Sequence, residues 1–185
     1  MPSIADAKIL IMATNRFEES ELFGPREILQ AKGAEVTLAS LDGADIIATV
    51  HDDPGRTITP DLTIAEAKAE EYDALLLPGG VGNPDRLRSD AAAVALIKAF
   101  DAAKKPIGAI CHAPWLLAEA DVLRGRRATS WRSIRTDIRN AGAEVVDEAA
   151  VTDGHLVTSR SPDDVPAFTA ALIAAIEATG GGEAS

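Results

Sequence analysis

Short apolar runs alternate along the chain with longer segments in which apolar residues recur at helical spacing. Residues 8–13, 73–77 and 107–110 are short and almost wholly apolar, which is typical of strands covered on both faces. Residues 21–32, and a stripe that follows Pro162, repeat apolar side chains with a period near 3.6 and predict amphipathic helices. This alternation predicts an α/β fold, namely a three-layer α/β/α sandwich around a largely parallel sheet.

The same pattern predicts several local features. Pro25 is expected in the first turn of the helix at 21–32. Asp153-Gly154, between two short apolar segments, predicts a β-hairpin. The remaining expectations are short strands at 46–49 and 57–59, a brief helix at 64–71, a loop at 78–88 and a helix at 91–103.

Chain length and the length of the apolar runs limit the organisation of the chain. With 185 residues, one domain is expected, over residues 1–178, because most domains hold roughly 100–200 residues. Residues 179–185, which include GGGEAS, are expected to form a flexible tail. No apolar run approaches the roughly 18 residues of a membrane helix, so no membrane association is expected.

Charge and cysteine content exclude other classes. The formal net charge of −11 argues against nucleic acids and anionic membranes as partners, because such surfaces are neutralised by Lys and Arg. One cysteine permits no internal disulfide, and the first residues lack the basic and apolar segments of a signal peptide. A reducing, cytoplasmic location is therefore expected.

The stretch GAICHAPWLL, residues 108–117, places that single cysteine, Cys111, between an apolar strand and a helix. Ala109 and Ala113 are small enough for a sharp strand-to-helix turn with the thiol at its apex, the pattern of a nucleophile elbow. A helix N-terminus beside the sulfur favours the thiolate, so a thiol reactive at neutral pH is expected. The alternative is a cysteine that serves only as a small buried hydrophobe.

Other candidate site residues lie in loops that follow predicted strands. In such folds ligands bind beyond the carboxyl ends of the strands, and residues 14–21, 78–88 and Cys111 occupy such ends. One acid among Glu18, Glu19 and Glu21 is expected to reach the thiol and, when protonated, to stabilise a thiolate. Gly79 and Gly80 are further candidates, because their N–H groups together with that of His112 are expected to form an oxyanion site. Asp85 is expected to orient His112, and Trp115 is expected to line a pocket. Each of these residues also has a purely structural interpretation as a turn, surface or core residue.

Further residues point away from metal and nucleotide chemistry. His51 and His155 are interpreted as structural or exposed, and Trp131 is as compatible with the core as with a pocket. No His, Cys or carboxylate pair has a metal-ligand spacing, and no Walker or GxGxxG motif is present. Neither a metal nor another cofactor is expected.

Three motifs occur in order: NRFEESEL at 15–22, LPGG at 77–80 and AICHAPWLLAEADVLRGRRATSW at 109–131. With them the sequence resembles the ThiJ/PfpI family, and within it the PfpI-like intracellular proteases, over residues 8–176. The resemblance implies a flavodoxin-like sandwich related to class I glutamine amidotransferase domains, assembled as a homodimer or a higher homo-oligomer.

The resemblance also implies roles for individual residues. Cys111 matches the family nucleophile, His112 the histidine that follows it, and Glu18 the acid that contacts the thiol. Asp85 lies where PfpI-like members place a glutamate that approaches the histidine across a subunit interface. Two residues depart from the pattern: Ala113 replaces a glycine, and Asp85 is one methylene shorter than glutamate.

The resemblance leaves two main functional hypotheses, with a vestigial binding protein as a third. The first is a cysteine-dependent, stress-related hydrolase or lyase of the glyoxalase or deglycase type, acting on small carbonyl compounds or their protein adducts, with intracellular peptidase activity as a further possibility. The second is a non-enzymatic sensor of oxidative stress, or a chaperone, that uses oxidation of Cys111. A glutamine amidotransferase is not expected, because His155 is followed by Leu156 and Val157 rather than by the His-x-Glu pair of that class.

Overall fold

The structure, a computed structural model, describes residues 3–179. Its centre is a seven-stranded sheet with the order β10-β11-β7-β6-β1-β2-β5. All neighbouring strands are parallel except β10, which pairs antiparallel with β11 at one edge. The strands of this sheet are β1 (Lys8–Met12), β2 (Glu35–Ser40), β5 (Leu62–Thr63), β6 (Ala74–Leu77), β7 (Ile107–Ile110), β10 (Ala150–Asp153) and β11 (Leu156–Ser159).

Helices cover both faces of this sheet, and two small sheets complete the fold. β3 pairs antiparallel with β4, and β8 pairs with β9. These strands are β3 (Ile46–Val50), β4 (Asp53–Ile58), β8 (Arg127–Ala128) and β9 (Glu144–Val145); the helices are α1 (Glu19–Ala31), α2 (Gly82–Leu87), α3 (Ala91–Ala102), α4 (Pro114–Glu119), α5 (Arg135–Asn140) and α6 (Val165–Thr179).

The alternation of side chains along β1 shows how the strands divide the core. Leu10 and Met12 pack on one face of the sheet with residues of α3, α4 and α5. Ile9 and Ile11 pack on the opposite face with residues of α1 and α6. Because successive residues of a strand point to opposite faces, an unbroken apolar run supplies both layers. The predicted flavodoxin-like three-layer α/β/α sandwich is thereby confirmed.

Several local predictions need correction. The first helix begins at Glu19 rather than at residue 21, so Pro25 lies inside it and not in its first turn. The expected helix at 64–71 is reduced to a 3₁₀ turn, Ala69–Glu71, because Leu62 and Thr63 pair with β2 just before it. The expected loop at 78–88 contains α2.

The end of the chain was predicted to be flexible from residue 179. Thr179 is the last residue of α6, and residues 180–185 lie outside the described part of the structure. Within residues 3–179, no helix combines the length and apolar character that crossing a membrane requires.

Candidate active site

Cys111 lies at the carboxyl end of β7, between that strand and α4. Its backbone has a φ of 65°, in the left-handed region that few non-glycine residues adopt. Two backbone hydrogen bonds hold this turn: the N–H of Cys111 donates to the carbonyl of Ser159 (3.0 Å), and its carbonyl accepts from the N–H of Trp131 (2.8 Å). The predicted cysteine elbow is therefore present, with the residue only 6% exposed.

His112 lies directly beside the thiol. Its Nδ1 is 3.2 Å from Sγ of Cys111, although neighbouring residues at a sharp turn need not contact one another. Trp131 stacks on the imidazole and Trp115 approaches it edge-on, with centroid distances of 5.9 and 5.3 Å. Burial lowers the pKa of His112 below its ordinary 6.5. The imidazole is therefore neutral at pH 7 and, as the Nε2–H tautomer, accepts a proton at Nδ1.

Glu21 is the acidic residue that interacts with the thiol. It is fully buried in the first turn of α1, and its Oε2 accepts a hydrogen bond from the N–H of Gly79 (2.8 Å). Burial raises the pKa of Glu21 from 4.5 to about 8, and the charge of Glu18 adds to the increase, whereas the hydrogen bonds of Gly79 and Cys111 oppose it. The carboxyl is thus mainly protonated at pH 7.

Glu18 was expected to make this contact, and the structure assigns it instead to Glu21. Glu18 occupies the N-cap of α1 with an extended backbone, and its carboxylate accepts from the N–H of His51 at 3.1 and 3.3 Å. Because the helix begins at Glu19, Glu21 falls on its buried face, one turn before Pro25. Glu18 still lines the same cavity as Cys111.

The expected acidic thiol is also corrected. Burial raises the pKa of Cys111 above its ordinary 9.0, and the charge of an ionised Glu21 raises it further. Hydrogen bonds from the N–H groups of His112 and Gly80 oppose this shift without cancelling it. The sulfur therefore rests as a thiol at neutral pH, and its activation needs a base such as the adjacent imidazole.

The two glycines of the LPGG motif have different roles. The N–H of Gly79 is occupied by Glu21, so it is not available for the oxyanion site expected from the sequence. A Cβ on Gly79 would lie 2.5 Å from Oε2 of Glu21 and 2.7 Å from Cβ of Cys111, so this close packing requires glycine. Gly80, at a φ of 74°, lines the cavity and directs its N–H at the sulfur.

Buried Asn83, which the sequence analysis missed, joins two of the loops that were predicted to converge. Its Oδ1 accepts from the N–H of Thr14 (2.8 Å), and its Nδ2 donates to the carbonyl of Pro78 (2.9 Å). The loops after β1 and β6 are thereby held together beside the end of β7. An asparagine in a presumed loop offered no signal for this role, because the helix that orients it was not predicted.

Cys111, His112, Glu21 and Gly80 line a cavity of about 370 Å³. Trp131 lines it, whereas Trp115, the tryptophan expected there, packs outside and donates from Nε1 to Asp137 (2.8 Å). The sequence analysis also missed two segments that contribute to the lining, residues 51–52 and 161–163. The lining residues are Glu18, Glu21, His51, Asp52, Gly80, Val81, Cys111, His112, Trp131, Ser161, Pro162 and Asp163.

Asp85 does not meet His112 within one chain. It is exposed on α2, and among residues 3–179 the one side-chain hydrogen bond of His112 is with Cys111. An approach of Asp85 to the histidine of a second copy stays a prediction. In the same range, no group of three His, Cys, Asp or Glu side chains is arranged to hold a metal ion.

The sequence of this chain matches the pattern of a known protein family. The model of the DJ-1/PfpI family matches residues 7–175. The chain belongs to the DJ-1/PfpI family. This membership confirms the family resemblance of the three motifs.

Relatives of this DJ-1/PfpI chain include General stress protein 18 of Bacillus subtilis, 44% identical over 172 residues that cover 92% of this chain and 98% of that protein. A solved Anabaena variabilis two-domain protein with DJ-1/ThiJ/PfpI-like and ferritin-like domains superimposes with a TM-score of 0.88 at 34% identity; the match covers 92% of this chain and 48% of that one. Drosophila melanogaster DJ-1beta superimposes with a TM-score of 0.83 at 27% identity, covering 95% and 96%. The chain thus spans about half of the two-domain protein and nearly all of the others.

Proposed function

We propose that this DJ-1/PfpI protein is a cysteine-dependent, stress-related enzyme that acts on small carbonyl compounds or on the adducts they form with proteins. The observation that carries the proposal is the 3.2 Å contact between the Cys111 thiol and neutral His112 at a cavity that also contains protonated Glu21. The relation to General stress protein 18 supports the connection to stress.

The first chemical step is addition of the sulfur to an aldehyde carbon. As the S–C bond forms, the thiol proton passes to Nδ1 of His112 and the carbonyl π pair moves to oxygen. The N–H groups of Gly80 and His112, which already point at the sulfur, stabilise the developing oxyanion. The imidazolium then returns its proton to that oxygen, which leaves a neutral hemithioacetal and a neutral His112.

With a 2-oxoaldehyde such as methylglyoxal, the hemithioacetal leads on to a hydroxy acid. The proton on the former aldehyde carbon moves to the neighbouring ketone carbon, and the hydroxyl proton moves to the former ketone oxygen, so the hemithioacetal isomerises to a thioester. One water molecule then cleaves the S–C bond and releases lactate and the Cys111 thiol. Neutral His112 is positioned to carry these protons, and no external oxidant or reductant is needed.

The size and depth of the site favour small substrates over polypeptides. The cavity of about 370 Å³ lies near the lower end of the range for small-molecule sites, roughly 300–1,000 Å³. Cys111 lines this cavity and is only 6% exposed, so a compact aldehyde reaches the sulfur more easily than the backbone of a folded protein. Peptidase activity is therefore the less favoured form of the proposal.

The test is methylglyoxal consumption and lactate formation by the wild type, Cys111→Ser and His112→Gln. We expect Cys111→Ser to lose activity and His112→Gln to lose roughly 10²-fold in kcat/KM, the scale of a general base. His155→Gln is the matched control, because His155 bonds to Asp101 (2.7 Å) and its carbonyl accepts from Ile107 at the other end of β7. Equal rates in the wild type and Cys111→Ser would refute the proposal.

The second candidate is a redox sensor, and one observation favours it. Oε1 of Glu21 has no hydrogen-bond partner among the described residues, so this protonated carboxyl is available to a sulfinate on Cys111. Two equivalents of peroxide convert the thiol to a sulfinic acid and release two water molecules. In the same preparations, intact-mass spectrometry after mild peroxide distinguishes the candidates: a sensor gains two oxygen atoms at Cys111 and turns over no methylglyoxal.

A further inference from the structure

The candidate cavity carries an unbalanced negative charge. Four of its lining residues bear carboxyl groups, Glu18, Glu21, Asp52 and Asp163, and no lining residue is Lys or Arg. Because Glu21 is protonated at pH 7, three of the lining residues remain as carboxylates: Glu18, Asp52 and Asp163. The potential inside such a cleft is stronger than on an open surface, since its apolar walls focus the field.

Two of these carboxylates lie in different parts of the fold. Asp52 is exposed in the turn between β3 and β4, next to His51, whose φ is 58°. Asp163 is exposed in the 3₁₀ turn that follows β11. The cavity therefore receives one charge from a small separate sheet and another from the segment leading into α6.

Two arginines near the cavity in sequence, Arg160 and Arg16, do not pair with these acids. Arg160 precedes the Asp163 turn, but its guanidinium is engaged by Asp164 (2.9 and 3.1 Å) and Asp147 (3.0 Å). Arg16 packs over Gly82, with Cβ 2.9 Å from the position a Cβ would occupy there, and does not line the cavity. Within residues 3–179, no salt bridge involves Asp52 or Asp163.

A second, independent feature of the same cavity points to a polar ligand. Glu21 is fully buried and lines it, yet Oε1 has no partner among the described residues. An unsatisfied buried polar atom of this kind costs roughly 1–3 kcal/mol, and a ligand hydrogen-bonded to it removes that cost.

From these observations we infer that the cavity selects cationic carbonyl compounds over anionic ones, with Asp52 and Asp163 as the residues that determine this selectivity. The inference rests on the proposed function for the substrate's reactive group, whereas the charge preference rests on the cavity alone. An amine- or guanidine-bearing aldehyde, or an aldehyde adduct next to a lysine or arginine, belongs to the favoured class. A 2-oxo acid such as glyoxylate belongs to the disfavoured class.

The charge preference is measured without turnover, because Cys111 is the chain's one cysteine. The probes are methanethiosulfonates of matched size with a cationic trimethylammonioethyl or an anionic sulfonatoethyl group. In each case the Cys111 sulfur forms a disulfide and methanesulfinate leaves, so intact mass gives the rate. We expect the cationic probe to react faster, and the ratio of rates to fall about threefold in Asp52→Asn, about threefold in Asp163→Asn and about tenfold in the double variant, the scale of exposed charge pairs.

The control variant is Asp6→Asn, which changes the net charge equally but lies just before β1, at the amino ends of the strands and so opposite the carboxyl end of β7 that carries Cys111. It is expected to leave the ratio unchanged. A ratio that is the same in the wild type and the double variant, or that Asp6→Asn reduces as strongly, would overturn the inference. Methylglyoxal, which is neutral, is the separate arm: its turnover by the wild type tests the proposed function and does not enter the ratio of probe rates.

Discussion

At the scale of single residues, the site combines a strained cysteine with two neutral partners. A φ of 65° at Cys111 is the kind of backbone strain that costs roughly 1–3 kcal/mol and is retained where surrounding structure enforces it. Burial lowers the pKa of His112 and raises the pKa values of Glu21 and Cys111. At neutral pH the three groups are therefore uncharged, and charge forms when a substrate reacts.

The protonation of Glu21 predicts how stability depends on pH. Its pKa is raised from 4.5 to about 8 in the folded protein, so between these values the folded state binds more protons than the unfolded state. The resulting stabilisation is complete below pH 4.5 and is lost as the pH rises to about 8, on the order of 5 kcal/mol. Urea unfolding of the wild type and Glu21→Gln at pH 5 to 8.5 measures it.

Glu21→Gln keeps an oxygen that accepts from Gly79 but cannot ionise, so its stability is expected to decline less over this range. Since the lowered pKa of His112 acts in both proteins, the difference between their curves isolates Glu21. Parallel curves for the two proteins would contradict the assignment of a neutral buried carboxyl.

At the scale of elements, the site depends on close packing between β7 and the helix behind it. A Cβ at Gly108 would lie 2.9 Å from Cζ of Phe168 and 3.2 Å from Cδ2 of Leu172. Both side chains belong to α6 and are fully buried. The glycine therefore sets how near α6 approaches the strand that carries Cys111.

Gly108→Ala is expected to destabilise the protein by about 1–3 kcal/mol, because a buried methyl group must displace the ring of Phe168. Gly43→Ala is the matched control, since a Cβ there meets no atom within 4 Å, and it is expected to stay within about 1 kcal/mol of the wild type. Urea denaturation compares the two variants. Equal stabilities would show that α6 adjusts without cost.

At the scale of the whole molecule, one sheet supports two separate apolar layers. Phe100 of α3 is fully buried in one layer and Phe168 of α6 in the other. Since each of the five inner strands, β11, β7, β6, β1 and β2, contributes side chains to both layers, loss of packing on one face weakens the support of the other. The expectation, made from chain length, that residues 1–178 form one domain stays a prediction, and this coupling gives it a physical reason.

Phe100→Ala and Phe168→Ala are each expected to cost about 3–5 kcal/mol, the range for removing a buried aromatic ring. In both variants, circular dichroism and tryptophan fluorescence should report one coincident transition in urea. Trp115 and Trp131, the two tryptophans, report on the site beside His112. Separate transitions in either variant would contradict a single cooperative domain.

The sequence by itself determined the layer architecture and the position of the cysteine elbow. Continuous apolar runs such as residues 8–13 specify strands covered on both faces, and this information is local. The small residues around Cys111 likewise specified its turn. The match of the DJ-1/PfpI family model to residues 7–175 agrees with this architecture, whereas the role of Cys111 as a nucleophile stays a prediction.

Only the tertiary structure decided which groups surround the sulfur. The resemblance placed Glu18 against the thiol, whereas α1 begins at Glu19 and brings Glu21 there; helix boundaries are the least certain part of a sequence pattern. The pKa of Cys111 depends on burial by distant segments, which reversed the direction expected from the helix alone. Asp52 and Asp163 are far apart in the chain, and the folded cavity is what brings them together.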